Sequence, residues 1–193
     1  MFFLHRPSSR TIEQLLAQSR ELPLSYSPVG LAEAQSLHFD RDETSAVIGK
    51  GRADFERARA ALEAWTQFDL GWADVFPKNA PVESGMVVLV LIRHLGFWSL
   101  NGCRIVYCVG EADPDHRFGF AYGTLTNHSE RGEEIFEVDL SPETGEVTYR
   151  IHAASRPRAF LARIGYPIAR LLQARFRRDS VAAMRRALTA IRA

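Results

Sequence analysis

At Trp72 the hydrophobic period of this 193-residue chain changes from helical to two, and it stays at two as far as Ala154. Strands are expected near residues 71–76, 86–93, 103–110, 117–125, 132–140 and 146–154. Turn-forming residues separate them: Pro77 to Pro81, Asn101-Gly102, Asp113-Pro114-Asp115, Asn127 to Arg131 and Ser141 to Gly145. Connections this short join antiparallel neighbours, because a parallel crossover needs a dozen residues or more.

Helical patterns flank this meander. Ser8 or Ser9 can cap a helix running to about Arg20, with Ile12, Leu15 and Leu16 on one side, and Pro23 and Pro28 follow it. A short alternation over residues 35–40 predicts a first strand. Phe55, Ala58, Leu62 and Trp65 then mark an amphipathic helix over about 53–66. After Pro157, the set Phe160, Leu161, Ile164, Ile168, Leu171, Leu172 and Phe176 forms an apolar stripe. Val181, Met184, Leu188 and Ile191 lie more than a quarter-turn away from it, which predicts a kink near Arg177 to Ser180, with Pro167 as a second candidate. The expected fold is α+β: a curved antiparallel sheet of about seven strands gripping a long C-terminal helix. Residues 1–32 form an N-terminal helical extension, 33–154 the sheet with one inserted helix, and 155–193 a basic terminal helix, all within a single domain.

Alternation also predicts which side chains share a face. Setting Thr124 opposite Glu134 across the Asn127 to Arg131 turn places Tyr122 opposite Phe136, Phe120 opposite Val138 and Phe118 opposite Leu140. Extending the register to the neighbouring strands adds Tyr107 and Tyr149 to this inner face. Gly119, Ala121, Gly123, Glu133, Glu137 and Asp139 fall on the opposite, solvent side. So many aromatics either fill a core or line a cavity. Glu134 is the informative exception among them, since an ionised carboxylate there needs a cation, water or a raised pKa. Tyr122 and Thr124 are its expected neighbours, with Arg156 or Arg93 as counter-charge.

The net charge of +1 conceals a split: residues 1–154 carry 14 Lys+Arg against 22 Asp+Glu, whereas residues 155–193 carry 10 Arg against Asp179 alone. The basic helix and acidic body can neutralise one another, so no specific nucleic acid is expected. The longest apolar run, Met86 to Ile92, is far too short to span a bilayer, and a soluble cytoplasmic protein is expected. Cys103 and Cys108, five apart in one strand, should face opposite sides and neither bridge nor share a metal.

No motif announces a reaction or a cofactor. Gly49-Lys50-Gly51 lacks the spacing of a phosphate loop and reads as a tight turn. His128 has too few convergent partners for zinc, and no serine sits in a nucleophile elbow.

The stretch Phe118-Gly119-Phe120-Ala121-Tyr122-Gly123-Thr124-Leu125, with His128 and Gly132-Glu133-Glu134-Ile135-Phe136, resembles the signature of domain-of-unknown-function family 1990, also called uncharacterised protein family 0548. Gly49-Lys50-Gly51 with Phe55, Ala58 and Trp65, Trp72 with Pro81 and Gly85, and Ser155-Arg156-Pro157 with Tyr166, Pro167, Gln173 and Phe176 extend the resemblance over nearly the whole chain. The element order is also similar to that of START-like helix-grip proteins, which implies an apolar ligand between sheet and terminal helix. The expected function is therefore binding of a small apolar or amphipathic molecule by Tyr107, Phe118, Phe120, Tyr122, Thr124, Glu134, Phe136, Tyr149 and Arg156. The alternatives are a cyclase or isomerase using Glu134 and Tyr122, and a membrane-surface or nucleic-acid adaptor using the Arg-rich helix.

Overall fold

In the computed structural model, residues 1–34, 39–94, 96–157 and 166–189 are described. Strands β1 (Phe2–Phe3), β2 (Asp40–Lys50), β3 (Ala73–Phe76), β4 (Val87–Arg93), β5 (Trp98–Val109), β6 (Arg117–Thr124), β7 (Glu130–Leu140) and β8 (Glu146–Pro157) form one sheet. Its order is β2-β8-β7-β6-β5-β4-β3, with β1 added beside β5, and every pairing is antiparallel. The helices are α1 (Ser9–Arg20), α2 (Arg52–Glu63) and α3 (Tyr166–Thr189), and a 3-10 turn at Thr66–Phe68 follows α2.

The α+β architecture and both early helices follow the sequence, and so does the antiparallel meander except at Asn101-Gly102, which is no turn but lies inside β5, paired with Val90 and Leu89 of β4. Ser8 caps α1 by accepting from the Thr11 amide at 3.2 Å. Phe55, Ala58, Leu62 and Trp65 are all buried beneath α2. Gly51 takes φ +79° at the entry to α2, the tight turn expected of Gly49-Lys50-Gly51.

Four expectations are corrected. The alternation over 35–40 falls on residues 35–38, outside the described set, and the strand itself runs over Asp40–Lys50. Its first half reads as polar because Asp42, on the same face as the apolar Ala46 and Ile48, meets arginines of α3 instead of a hydrophobic core. The terminal helix is continuous through Arg177 to Ser180, while β8 extends to Pro157. Of the expected apolar stripe, Phe160, Leu161 and Ile164 lie outside the described residues; Leu171 is 70% exposed, and α3 packs on the core through Phe176, Val181, Met184 and Leu188.

The pairing of β6 with β7 is shifted by two residues from that expected: Phe120 pairs with Phe136 and Tyr122 with Glu134, and on the other side of β7 Val138 pairs with Tyr149. A shift of two preserves the faces. A bulge between Ile105 and Tyr107 does not, for it sets Ile105 opposite Tyr122 but Tyr107 opposite Ala121. Tyr107 therefore lies on the outer face, and Cys108 joins Cys103 on the inner side of the alternation, both thiols free.

The outer face is not a solvent side. Helix α1 packs Ile12, Leu15 and Leu16 on Leu89, Leu91 and Leu100. Ala32 joins Val109, Ala121 and Ile135, and Tyr26 and Leu31 join Ala154. Glu133 is 2% exposed there, and it accepts from Tyr26 Oη at 2.6 Å, Tyr107 Oη at 3.0 Å and the amides of Gly30 at 3.0 Å and Ala32 at 3.2 Å. Four donors on one carboxylate offset the cost of burying it and fasten the N-terminal segment to the sheet.

Candidate functional site

The inner face of the sheet divides into an apolar half and a polar end. In the apolar half Phe120, Phe136 and Tyr149 have no exposed surface. Phe68, delivered by the 3-10 turn, lies 5.6 Å from the Phe136 ring, 6.3 Å from Tyr122 and 5.1 Å from Phe176. Trp65 stands 4.8 Å from Phe120 and donates its indole N–H to the Ala80 carbonyl at 2.8 Å. The buried Tyr149 hydroxyl bonds Ser180 Oγ at 2.8 Å, so this polar atom is satisfied against α3. Sheet and helices fill this half as a core.

The polar end lies where β6, β7 and β8 meet the first half of α3. Tyr122 donates to Glu134 Oε2 at 2.7 Å, and Glu134 retains some solvent access. Burial raises the Glu134 carboxyl to about 7, and the nearby Glu130 and Asp42 charges push the same way, against the Tyr122 hydrogen bond and the Arg177 charge. The Tyr122 hydroxyl is itself pushed well up by burial and by the Glu134 charge, so it stays a donor.

Glu130 is held by Gln173, whose Nε2 donates to both carboxylate oxygens at 3.0 and 3.1 Å, and burial raises its pKa. Asp42 is clamped by Arg170, with one contact at 2.8 Å, and by Arg177 at 3.2 Å. The end thus carries three carboxylates and two guanidinium groups around Tyr122 and Gln173. The Cys103 thiol, buried beneath Tyr122 and Glu134, is pushed up by burial and by both glutamates, which keeps it protonated and unreactive. Among the described residues no group of three or more His, Cys, Asp or Glu could hold a metal.

Of the nine sequence-selected residues, Tyr122, Glu134, Phe120, Phe136 and Tyr149 share the inner face. Phe118 lies at its far end, under the Arg59 guanidinium at 4.7 Å, on a surface cleft of about 420 Å³ shared with Glu63 and Val82. Thr124 is spent on the backbone, accepting from the Gly132 amide at 2.9 Å and bonding Ser25 Oγ at 2.6 Å. Two residues lie on the other side. Tyr107 serves Glu133, and Arg156 stacks over Phe39 at 4.8 Å, because Ser155 and not its neighbour points to α3. Arg93 likewise lies elsewhere, over Trp98. The cation near Glu134 is Arg177, which in the sequence is one more surface charge of the basic helix.

The family described as Domain of unknown function (DUF1990) matches residues 25–183. A UPF0548 protein of Dictyostelium discoideum is 34% identical over 97% of this chain and 96% of its own length. Another from Deinococcus radiodurans is 32% identical over 91% and 92%. Among solved structures, TTHA0849 from Thermus thermophilus superposes with a TM-score of 0.52 at 9% identity, covering 80% of this chain and 99% of that one. The di-domain ARO/CYC BexL, from the BE-7585A biosynthetic pathway, superposes with a TM-score of 0.51 at 14% identity over 83% of this chain and 53% of its own. These likenesses show a helix-grip fold. With a family model matched over most of its length and relatives above 30% identity over nearly all of it, the chain belongs to the DUF1990 (UPF0548) family.

Proposed function

We propose that the protein binds a small amphipathic molecule on the inner face of the sheet, with the polar part of the ligand at Glu134 and Tyr122. The observation that carries this reading is Glu134 itself. Its Oε2 is held by Tyr122, and its Oε1 accepts no hydrogen bond among the described residues. A carboxyl placed beside Phe136 and Tyr122, with partial solvent access and a pKa raised to about 7 by burial, is suited to meet the polar group of a bound molecule.

Phe68 packs its ring on both Phe136 and Phe176 on the apolar side of this carboxyl, which favours a compact ring or short chain over a long lipid tail. Acid–base chemistry by Glu134 and Tyr122 on a bound substrate is not the favoured reading, because burial and the Glu134 charge keep the Tyr122 hydroxyl protonated and the neighbouring Glu130 carboxylate is taken up by Gln173.

Native mass spectrometry of gently purified protein, followed by solvent extraction, tests binding directly. A co-purifying small molecule that is lost in Glu134→Gln and in Tyr122→Phe supports the site. Retention in both variants, or the absence of any ligand together with failure to take up a hydrophobic fluorophore, overturns it.

A further inference from the structure

We propose that the polar group of the bound molecule is a protonated amine on a compact apolar or aromatic body, an inference that rests on the binding site at Glu134 and Tyr122 described above. Its basis is how charge is shared at the polar end. Asp42, Glu130 and Glu134 bring three carboxylates there, and Arg170 and Arg177 bring two guanidiniums. Both guanidiniums face Asp42, and Arg170 also donates to Gln173 Oε1 at 3.0 Å.

Glu134 and Glu130 are left with neutral donors. The Tyr122 hydroxyl serves Glu134 at 2.7 Å, and the Gln173 amide serves Glu130 at 3.0 and 3.1 Å. Neither glutamate forms an ion pair among the described residues. The cluster therefore holds one more carboxylate than guanidinium, and a single added cation makes it neutral. The other titratable groups facing Glu134 are the Tyr122 hydroxyl from β6, the Tyr149 hydroxyl from β8 and the Cys103 thiol from β5, all held protonated by burial and adding no charge.

The alternatives fit less well. An anionic ligand would meet two carboxylates whose nearest guanidiniums already face Asp42. A neutral hydroxyl would leave the extra charge uncompensated. A metal ion lacks a ligand set, since among the described residues no group of three or more His, Cys, Asp or Glu could hold one. An ammonium needs no such set. It can donate to Glu134 Oε1, which accepts no hydrogen bond among the described residues, and it gains from the Glu130 charge nearby.

The surrounding rings suit the same ligand. Phe136 follows Glu134 by two residues on the same face of β7, and its ring meets that of Tyr122 edge-to-face at 5.4 Å. Aromatic faces attract a cation, and aromatic edges and faces receive an apolar body.

Phenethylamine, phenethyl alcohol and hydrocinnamate share a benzene ring on a two-carbon chain and differ in charge, so NMR titration of each into the isotope-labelled full chain tests the assignment. Above the Glu134 midpoint of about 7, the amine should bind roughly tenfold tighter than the other two and shift the Tyr122 and Glu134 resonances. A cation favours the ionised carboxyl, so saturating amine should lower the Glu134 midpoint by roughly one unit, and amine affinity should rise as pH rises through it. Glu134→Gln should erase the preference while the alcohol still binds, and Glu130→Gln should weaken the amine alone. Circular dichroism melting verifies the fold of both variants, and the midpoint shift in the unmodified protein gives an independent result should either unfold. Alcohol or acid binding as tightly as the amine overturns the amine assignment and leaves binding at Glu134 standing. Amine binding that neither variant weakens, or that leaves the Glu134 midpoint in place, overturns it as well. So does failure of all three to bind, in which case the co-purification experiment judges the binding site itself.

Discussion

Tyr122 and Glu134 are direct cross-strand partners on β6 and β7, and the tyrosine hydroxyl lies 2.7 Å from the carboxylate. The sheet register sets the two residues side by side, so the hydroxyl is supplied to the carboxyl by direct pairing while the carboxyl proton remains exchangeable. Binding strength at this site should therefore be a function of pH, with its midpoint set by Glu134.

A carbon-detected NMR titration should place the Glu134 carboxyl at about 7, against an ordinary value of 4.5. A carboxyl raised in the folded state binds more protons folded than unfolded. Its stabilisation is therefore complete below 4.5 and is lost as pH rises through about 7. The loss is at most about 3 kcal/mol for this shift, less in proportion to the solvent access of the group. Glu134→Gln should flatten the stability profile across that window and be the more stable form above it, as read from urea midpoints at a series of pH values.

Asp42→Asn should act in two places. It leaves Arg170 and Arg177 without their shared carboxylate and should cost about 2 kcal/mol in urea unfolding, given that the three side chains are only partly buried. It also removes a negative charge that raises the Glu134 pKa, so the Glu134 midpoint should fall in the same variant. An unchanged NMR midpoint would show that the clamp and the site are uncoupled.

On the outer face, Glu133→Gln presents an amide where four donors converge, and should cost about 2–4 kcal/mol. The amides of Gly30 and Ala32 should then exchange with solvent much faster, while those of β7 and β8 remain protected. Gly123→Ala should reproduce the effect without touching the carboxylate, because its Cβ would stand 2.3 Å from the Tyr26 hydroxyl oxygen.

Phe68→Ala should trade stability for space. Removing the ring from among Trp65, Tyr122, Phe136 and Phe176 should cost about 3–5 kcal/mol. The same variant should take up a hydrophobic fluorophore more strongly than the unmodified protein at temperatures where it remains folded. A stable variant with no gain in dye binding would place the ligand space elsewhere.

The meander is readable in the sequence because alternation and turn residues report directly on half-buried strands, and the Phe118–Leu125 and Gly132–Phe136 segments fall on adjacent strands as expected. What alternation cannot show is a residue that drops out of it. The bulge at Val106 carries no glycine or other turn residue, yet it reverses the facing of Tyr107. Glu133 reads as solvated because it shares a face with Glu137 and Asp139, and three of its donors come from Tyr26, Gly30 and Ala32, about a hundred residues away. Phe68 gives no signal because three residues of 3-10 turn are too few to display a period. Arg177 is hidden among nine other arginines, since a charge on a helix reveals its partner only when the opposing strand is placed.

The sheet order has a consequence for how the molecule is made. Strand β2 is the first long strand to leave the ribosome, yet its sole neighbour in the sheet is β8, the last. Tyr26 likewise waits for Glu133, and α2 for the strands it covers. For most of its synthesis the chain therefore carries an unpaired edge and a bare apolar helix, and closure comes only when the final hairpin arrives. Architecture of this kind makes folding slow and non-local, and it gives the nascent protein its longest exposure to aggregation at the strand that will end up at the rim of the sheet.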